Sequence, residues 1–250
     1  MKKISKYFSV VGLLFALQIN AQTINNKIST STHINYANLN KLDALVNEYI
    51  SKGWETGMSV LVVKDQQLIY YKGFGVSDVK TKAPMQADAL YRIMSQSKAI
   101  TSLAIMQLFE QGKLELDNPV SKFIPTFKNP KVVKEYNSND TTYTTIDAKR
   151  EVTIRDLLTH TSGIDYTDIG SSMMSAIYNK ANIPSGLGYF NANLIEKMTA
   201  LGSLPLAHQP GTKFTYGLNS DVLGAIVEII SGMSLEQYFN KNIFEPMGMQ

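Results

Sequence analysis

The sequence has no cysteine, three histidines and a single tryptophan among its 250 residues. Without cysteine there are no disulfides, no thiolate zinc ligands and no thiol for lipid attachment. The three histidines, His33, His160 and His208, are too far apart to pair at metal-ligand spacing, so no metal site is expected. Long apolar runs are also missing. The most extended, Phe8 to Leu17, falls short of the about 18–20 residues needed to cross a bilayer. No phosphate-binding loop is present, and Gly73-Phe-Gly75 does not extend into a dinucleotide fingerprint. No cofactor is therefore expected. With 44% hydrophobic and 18% charged residues, the composition is that of a folded globular chain and excludes disordered and collagen-like classes.

Lys2, Lys3 and Lys6 precede the apolar run, and Ala21 follows it at a plausible cut point. A charged start, a short apolar stretch and a small residue describe a secretory signal peptide over residues 1–21. The expectation is export to the periplasm or the exterior, with no membrane anchor after cleavage. The formal charge of +3 falls to 0 without the leader, which holds three lysines and no acid. Basicity is thus a property of the leader, and nucleic-acid binding has no support. Residues 22–38, rich in Asn, Ser and Thr, read as a flexible lead-in to one domain over 39–250.

Leu42, Leu45, Val46, Tyr49 and Ile50 recur at helical spacing, and Gly53 follows as a stop. Met58–Val63 and Leu68–Tyr71, joined by a polar turn, predict a hairpin. Ile100 to Phe109 predicts a helix closed by Gly112. Residues 128–150 are polar and read as a long surface excursion. Thr153 is placed to cap a short helix beginning at Ile154. The Ser162–Asn193 stretch reads as a loop rim, Asp221–Ile230 as a buried helix, and Ser234–Phe239 as the start of another. A single hairpin is marginal alone and implies a larger sheet, so the sequence reads as ending before its partner strands.

The chemistry centres on Ser95-Gln-Ser-Lys98. Ser95 falls where a strand-like run becomes a helix, and amides at a helix start favour a developing oxyanion or alkoxide. Lys98, three residues on, shares that face of the helix. A serine hydroxyl needs a base to become a competent nucleophile, and a lysine kept neutral by burial can serve. The spacing alone is common, and Ser95 as a helix cap beside a solvated lysine would produce it equally.

The flanking segments resemble the beta-lactamase-related serine hydrolases, the superfamily of class C beta-lactamases, D-alanyl-D-alanine carboxypeptidases and lactamase-fold esterases. Four landmarks appear in the family's order: Tyr91 to Ser102 running on to Leu108–Val120, Leu157-Leu-Thr-His-Thr-Ser-Gly163, Pro210–Tyr216 with Asp221-Val-Leu-Gly224, and Phe244-Glu-Pro-Met-Gly-Met249. The resemblance implies an α+β, beta-lactamase/transpeptidase-like fold: an antiparallel sheet covered by helices, with a helical subdomain. It implies Ser95 as acylated nucleophile, Lys98 as its base and Tyr216 as a proton carrier to and from the leaving group. The division between Lys98 and Tyr216 stays open. It casts His160 as part of a structural turn, not as a base.

Two departures qualify what the resemblance implies. The family places Asn two residues after the tyrosine. Here Leu218 stands there, and Asn219, one residue later, is the candidate to contact substrate. Lactam recognition is weakened and the esterase-like branch favoured. The His/Lys-x-Gly element, which supplies an oxyanion donor worth about 3–4 kcal/mol, has no counterpart up to Gln250. The expected partner is a small-molecule or peptide substrate carrying an ester, amide or lactam; nothing specifies an oligomeric state. The alternative is a catalytically silent penicillin-recognising module that binds cell-wall peptides or a protein.

Overall fold

A computed structural model describes residues 33–187 and 191–249. The leader 1–21, and most of the segment 22–38, lie outside the described residues. Two compact units divide between Leu90 and Tyr91.

The first unit holds helix α1 (Tyr36–Ser51) and the antiparallel strands β1 (Gly57–Lys64) and β2 (Gln67–Gly75). α1 begins ahead of the expected Leu39 because the Asn35 side chain accepts the Asn38 amide and caps it. The hairpin turns at Asp65-Gln66, both at positive φ, which is the backbone of a two-residue turn matched to strand twist. Asp43 on α1 pairs with Lys72 at 2.6 Å and accepts the Tyr70 hydroxyl, tying helix to hairpin. Little is buried here: Val46, Leu68, Ile69 and Tyr70.

The second unit contains helices α2 (Ser97–Glu110), α3 (Ile154–Leu158), α4 (Ser172–Lys180), α5 (Leu194–Gly202), α6 (Asn219–Ser231) and α7 (Leu235–Phe239), with strands β3 (Lys131–Tyr136) and β4 (Tyr143–Asp147). Its core is continuous: Ile105, Leu108, Ile124, Phe127, Ile154, Leu157, Val222 and Ile226 are all at most 2% exposed. α6 is its axis, buried from Val222 to Val227 and closed by Gly232 at φ +68. On α2 the buried stripe is Thr101, Ala104, Ile105 and Leu108, a 3–4 residue repeat. Leu103 and Phe109, expected on the core face, are exposed.

The polar segment 128–150 is not an irregular excursion. β3 and β4 form a second antiparallel hairpin, and Val132 and Val133 dock it against Leu206 through parallel bridge bonds. Its strands are mostly exposed, which explains a sequence free of an apolar repeat. The expected loop at 162–193 also contains a helix, α4. Thr153 does cap α3, in a reciprocal box with Asp156. Among the described residues, no single helix is long and apolar enough to cross a membrane.

Candidate active site

The arm that carries Ser95 is built from a tight turn. Met94 sits at φ +48, a conformation L residues adopt at a cost, and starts a 3₁₀ turn through Gln96. Ser95 therefore stands in the turn that feeds α2, just before the regular helix starts. Lys98 lies three and seven residues before Thr101 and Ile105 on the buried stripe of α2, so its side chain is directed along the inner face. Its Nζ donates to Ser95 Oγ at 3.4 Å.

A second arm brings Tyr216. Its hydroxyl donates to Ser95 Oγ at 2.7 Å, so two proton-carrying groups converge on one hydroxyl. Lys98 Nζ lies 4.7 Å from the centre of the Tyr216 ring and 5.6 Å from that of Tyr166. The three residues expected from sequence as catalytic are thus brought together, with Tyr166 added.

The backbone carrying Tyr216 is fixed to the turn after α3. Thr215 N donates to His160 O at 2.7 Å, Gly211 N to Thr161 O at 2.8 Å, and Ala207 N to Gly163 O at 2.8 Å. The chain passes so close at Gly217 that a Cβ there would sit 2.3 Å from Ile164 O. This explains the Gly in Tyr216-Gly-Leu: only a residue without a side chain fits. The turn is held in place by Asp156, a buried carboxylate gripped by Arg150 through two bonds of 2.5 and 2.9 Å. It also accepts from Thr153 N and Oγ1. Burial pushes the Asp156 carboxyl up, but Arg150 and Thr153 hold it below its ordinary range overall.

Asn219 is not in the cleft. It is fully buried, its Oδ1 accepting from Ser162 Oγ at 2.5 Å and its Nδ2 facing His160 Nδ1 at 3.0 Å. The substrate-contact role expected for Asn219 is therefore corrected. As the first residue of α6 it is turned into the core, where its amide orients an imidazole. Leu218 is buried as well, so the position that differs from the family's asparagine faces the core. His160 stacks on Tyr216 with ring centres 4.9 Å apart. Burial, and secondarily the Lys98 charge, lower its pKa and keep it neutral near pH 7. With Nδ1 accepting, His160 supports the Tyr216 ring and contacts no nucleophile. His208 serves structure too, bonding Thr215 Oγ1 at 2.8 Å.

Tyr166 was not singled out from sequence. Asp165 positions it by accepting from its own amide neighbour Tyr166 N and from Ser171 N and Oγ. The one signal was an aromatic residue just after the His-Thr-Ser-Gly turn. Asp221, in the first turn of α6, was read as the start of a buried helix and as part of a family landmark, not as a site residue. It lines the same cleft, a space of about 480 Å³ bounded also by Ser95, Lys98, Tyr166, Leu187 and Phe239.

The charges on the site are interdependent. Burial pulls Lys98 down, but the hydroxyls of Tyr166 and Tyr216 beside it raise it more, so the ammonium is favoured. The neutral lysine expected from burial alone is thus not what the surroundings favour. Burial pushes Tyr216 up, yet Lys98 and the Ser95 hydroxyl bring it below its ordinary 10. Burial raises Tyr166 as well, with Lys98 only partly offsetting it. Among the described residues, no group of three or more acidic, His or Cys side chains could hold a metal ion.

An α+β body with a Ser-Lys-Tyr cluster at the start of a buried helix defines a beta-lactamase/transpeptidase-like fold. The chain belongs to the beta-lactamase family, whose model matches residues 42–250. It is 30% identical over 210 residues to esterase EstB of Burkholderia gladioli, covering 84% of this chain and 50% of that protein. It is 33% identical over 185 residues to acyltransferase calJ of Penicillium decumbens, covering 72% of this chain and 42% of that one. The solved structure of EstCE1, described as a hydrolase with promiscuous acyltransferase activity, matches with a TM-score of 0.72 at 30% identity, over 85% of this chain and 52% of its own. This chain spans about half the length of the curated relatives it matches.

Proposed function

We propose that this chain carries the nucleophile half of a serine hydrolase that works through an acyl-enzyme, with esters favoured over lactams. The observation that carries it is the convergence of Tyr216 Oη and Lys98 Nζ on Ser95 Oγ, at 2.7 and 3.4 Å. Ser95 Oγ attacks the carbonyl carbon while its proton passes to Tyr216 in its phenolate form. Lys98, as the ammonium, stabilises that phenolate and the charge gathering at the reacting centre. The tetrahedral intermediate collapses as the tyrosine returns the proton to the leaving oxygen or nitrogen. Water, deprotonated by the same group, then releases the acid from Ser95. Preference for esters rests on Leu218, buried where the family holds an asparagine, and on the similarity to proteins named esterase and acyltransferase.

The test is covalent labelling with a fluorescent fluorophosphonate, together with hydrolysis of p-nitrophenyl acetate and nitrocefin. We expect an adduct on the wild type, none on Ser95→Ala, and turnover of the ester with nitrocefin left intact. Equal labelling of both proteins would overturn the assignment of Ser95. Export is proposed on the charged start and apolar run of residues 1–21. Its check is the amino terminus of protein recovered from the producing cell, expected at Gln22; recovery with residues 1–21 intact would refute it.

A further inference from the structure

One residue that lines the cleft, Asp221, has no part in the proposed mechanism. The same cleft holds Ser95, and the Asp221 carboxylate takes a hydrogen bond from its own backbone amide but makes no ion pair within 4 Å among the described residues. That amide also donates to Leu218 O at 3.1 Å. Proteins rarely place an acid in such surroundings without a cationic partner, because desolvation of the charge is expensive. Burial pushes this carboxyl up to about 6, with the Lys98 charge only partly offsetting it.

What surrounds Asp221 narrows its role. Lys98 is the nearest cation, but its ammonium is directed to Ser95 Oγ and lies against the rings of Tyr216 and Tyr166. The lining of the cleft is apolar at Leu187, Leu194, Leu235, Phe239 and the Tyr166 ring, and polar at Ser97, Thr101 and Ser220. Gly224 on α6 permits this wall: a Cβ there would press on Leu194 and Leu235 at 3.3 and 3.1 Å. Apolar walls take methylene groups, aromatic faces attract a cation, and a carboxylate without a cationic partner completes a site for an alkylammonium. Arg92 also lines the cleft, on the chain segment leading into Ser95.

We propose that Asp221 is the counter-ion for a protonated amine on the substrate, so that the cleft selects esters or amides whose acyl chain ends in an ammonium. This rests on the reading of the cleft as a hydrolase site and names its substrate class. Asp221 takes no part in bond making. It fixes which acyl chain lies along the wall while Ser95 attacks the carbonyl.

The experiment is binding, so that it stands apart from turnover. In the Ser95→Ala protein, the affinities of 6-aminohexanoic anilide and heptanoic anilide are compared by calorimetry at pH 7.5. The two ligands differ by an ammonium in place of a methyl group. The amine is expected to bind about tenfold tighter or more, the scale of one close ion pair in partly screened surroundings. In Ser95→Ala/Asp221→Asn that ratio should fall to near one. Equal binding of the two ligands to Ser95→Ala, preference for the heptanoyl chain, binding of neither, or a ratio untouched by Asp221→Asn would each overturn the proposal. The ligand comparison needs no change at Asp221, so it decides the matter even if the double variant misfolds. Failure of the hydrolase reading would appear instead as labelling that does not depend on Ser95.

Discussion

The two arms that meet at Ser95 are built on opposite principles. The nucleophile arm, residues 93–98, is a short exposed turn begun by a methionine at positive φ, with Ile93 and Met94 half exposed. The tyrosine arm is locked: Asp156 grips Arg150, Asn219 joins Ser162 to His160, and the Tyr216 backbone is pinned to the α3 turn. One arm stores conformational strain beside the reacting atom, and the other supplies the rigid reference against which that atom is aimed. On the proposed mechanism, reactivity and stability reside in different segments. Substitutions should therefore separate them.

The largest effect on stability should come from the locked arm. Asp156→Ala leaves the half-exposed Arg150 without its partner and removes the Asp156 half of the α3 capping box, so a loss of about 2–3 kcal/mol in unfolding free energy is expected by denaturant titration. A loss under 1 kcal/mol would mean that the pair does not anchor this arm. Asp156 is held below its ordinary range, so its contribution is full above the unfolded value of 3.8 and is lost as pH falls through the still lower folded one. The variant should accordingly approach wild type in stability only in strong acid.

Tyr216→Phe keeps the ring on His160 but deletes the hydroxyl. Ser95 acylation should slow by about 10²–10³-fold, with the melting temperature nearly unchanged. A fall in melting temperature matching that of Asp156→Ala would erase the distinction between the arms.

Asp221→Asn should stabilise. A carboxyl raised to about 6 in the folded state opposes folding above that pH, so the variant should gain roughly 1–3 kcal/mol at pH 7.5. The gain should vanish below the unfolded value of 3.8, where both states bind the proton. A destabilised Asn variant at pH 7.5 would show that Asp221 serves the fold. Smallest of all is Met94→Gly, which removes the positive-φ strain. Unfolding free energy should stay level or rise by up to about 1 kcal/mol, while acylation slows as the turn loosens. Loss of stability beyond that range would place the nucleophile turn among the fold's supports.

Much of this was legible in the sequence, and the failures have physical causes. The β1–β2 hairpin and α6 declared themselves because half or all of their faces are apolar. β3 and β4 did not: their residues are mostly solvated, and β3 is docked by a bridge from Val132 to Leu206, more than 50 positions away. α4 was hidden because Ser172–Lys180 is short and flanked by turn-forming residues. Ser95, Lys98 and Tyr216 stand in runs of residues whose order is itself specific. Asn219 misled because proximity along the chain to Tyr216 says nothing of direction; the first turn of α6 rotates its side chain into the core. Tyr166 and Asp221 line the cleft through tertiary packing, and their places beside the landmark segments did not show which way they face. The charge state of Lys98 depends on the two tyrosines beside it as well as on burial, and sequence alone does not show them together.

The central claim is that Ser95 gives its proton to a tyrosine whose pKa is lowered by a charged lysine. The most direct test is the rate of Ser95 labelling by a fluorophosphonate, followed by intact mass from pH 6 to 11 in wild type and Tyr216→Phe. The account predicts a rate that climbs with pH through a single group titrating below the ordinary tyrosine value of 10, and a climb that disappears in Tyr216→Phe. A climb of the same size and midpoint in Tyr216→Phe would contradict it and return the role of base to Lys98.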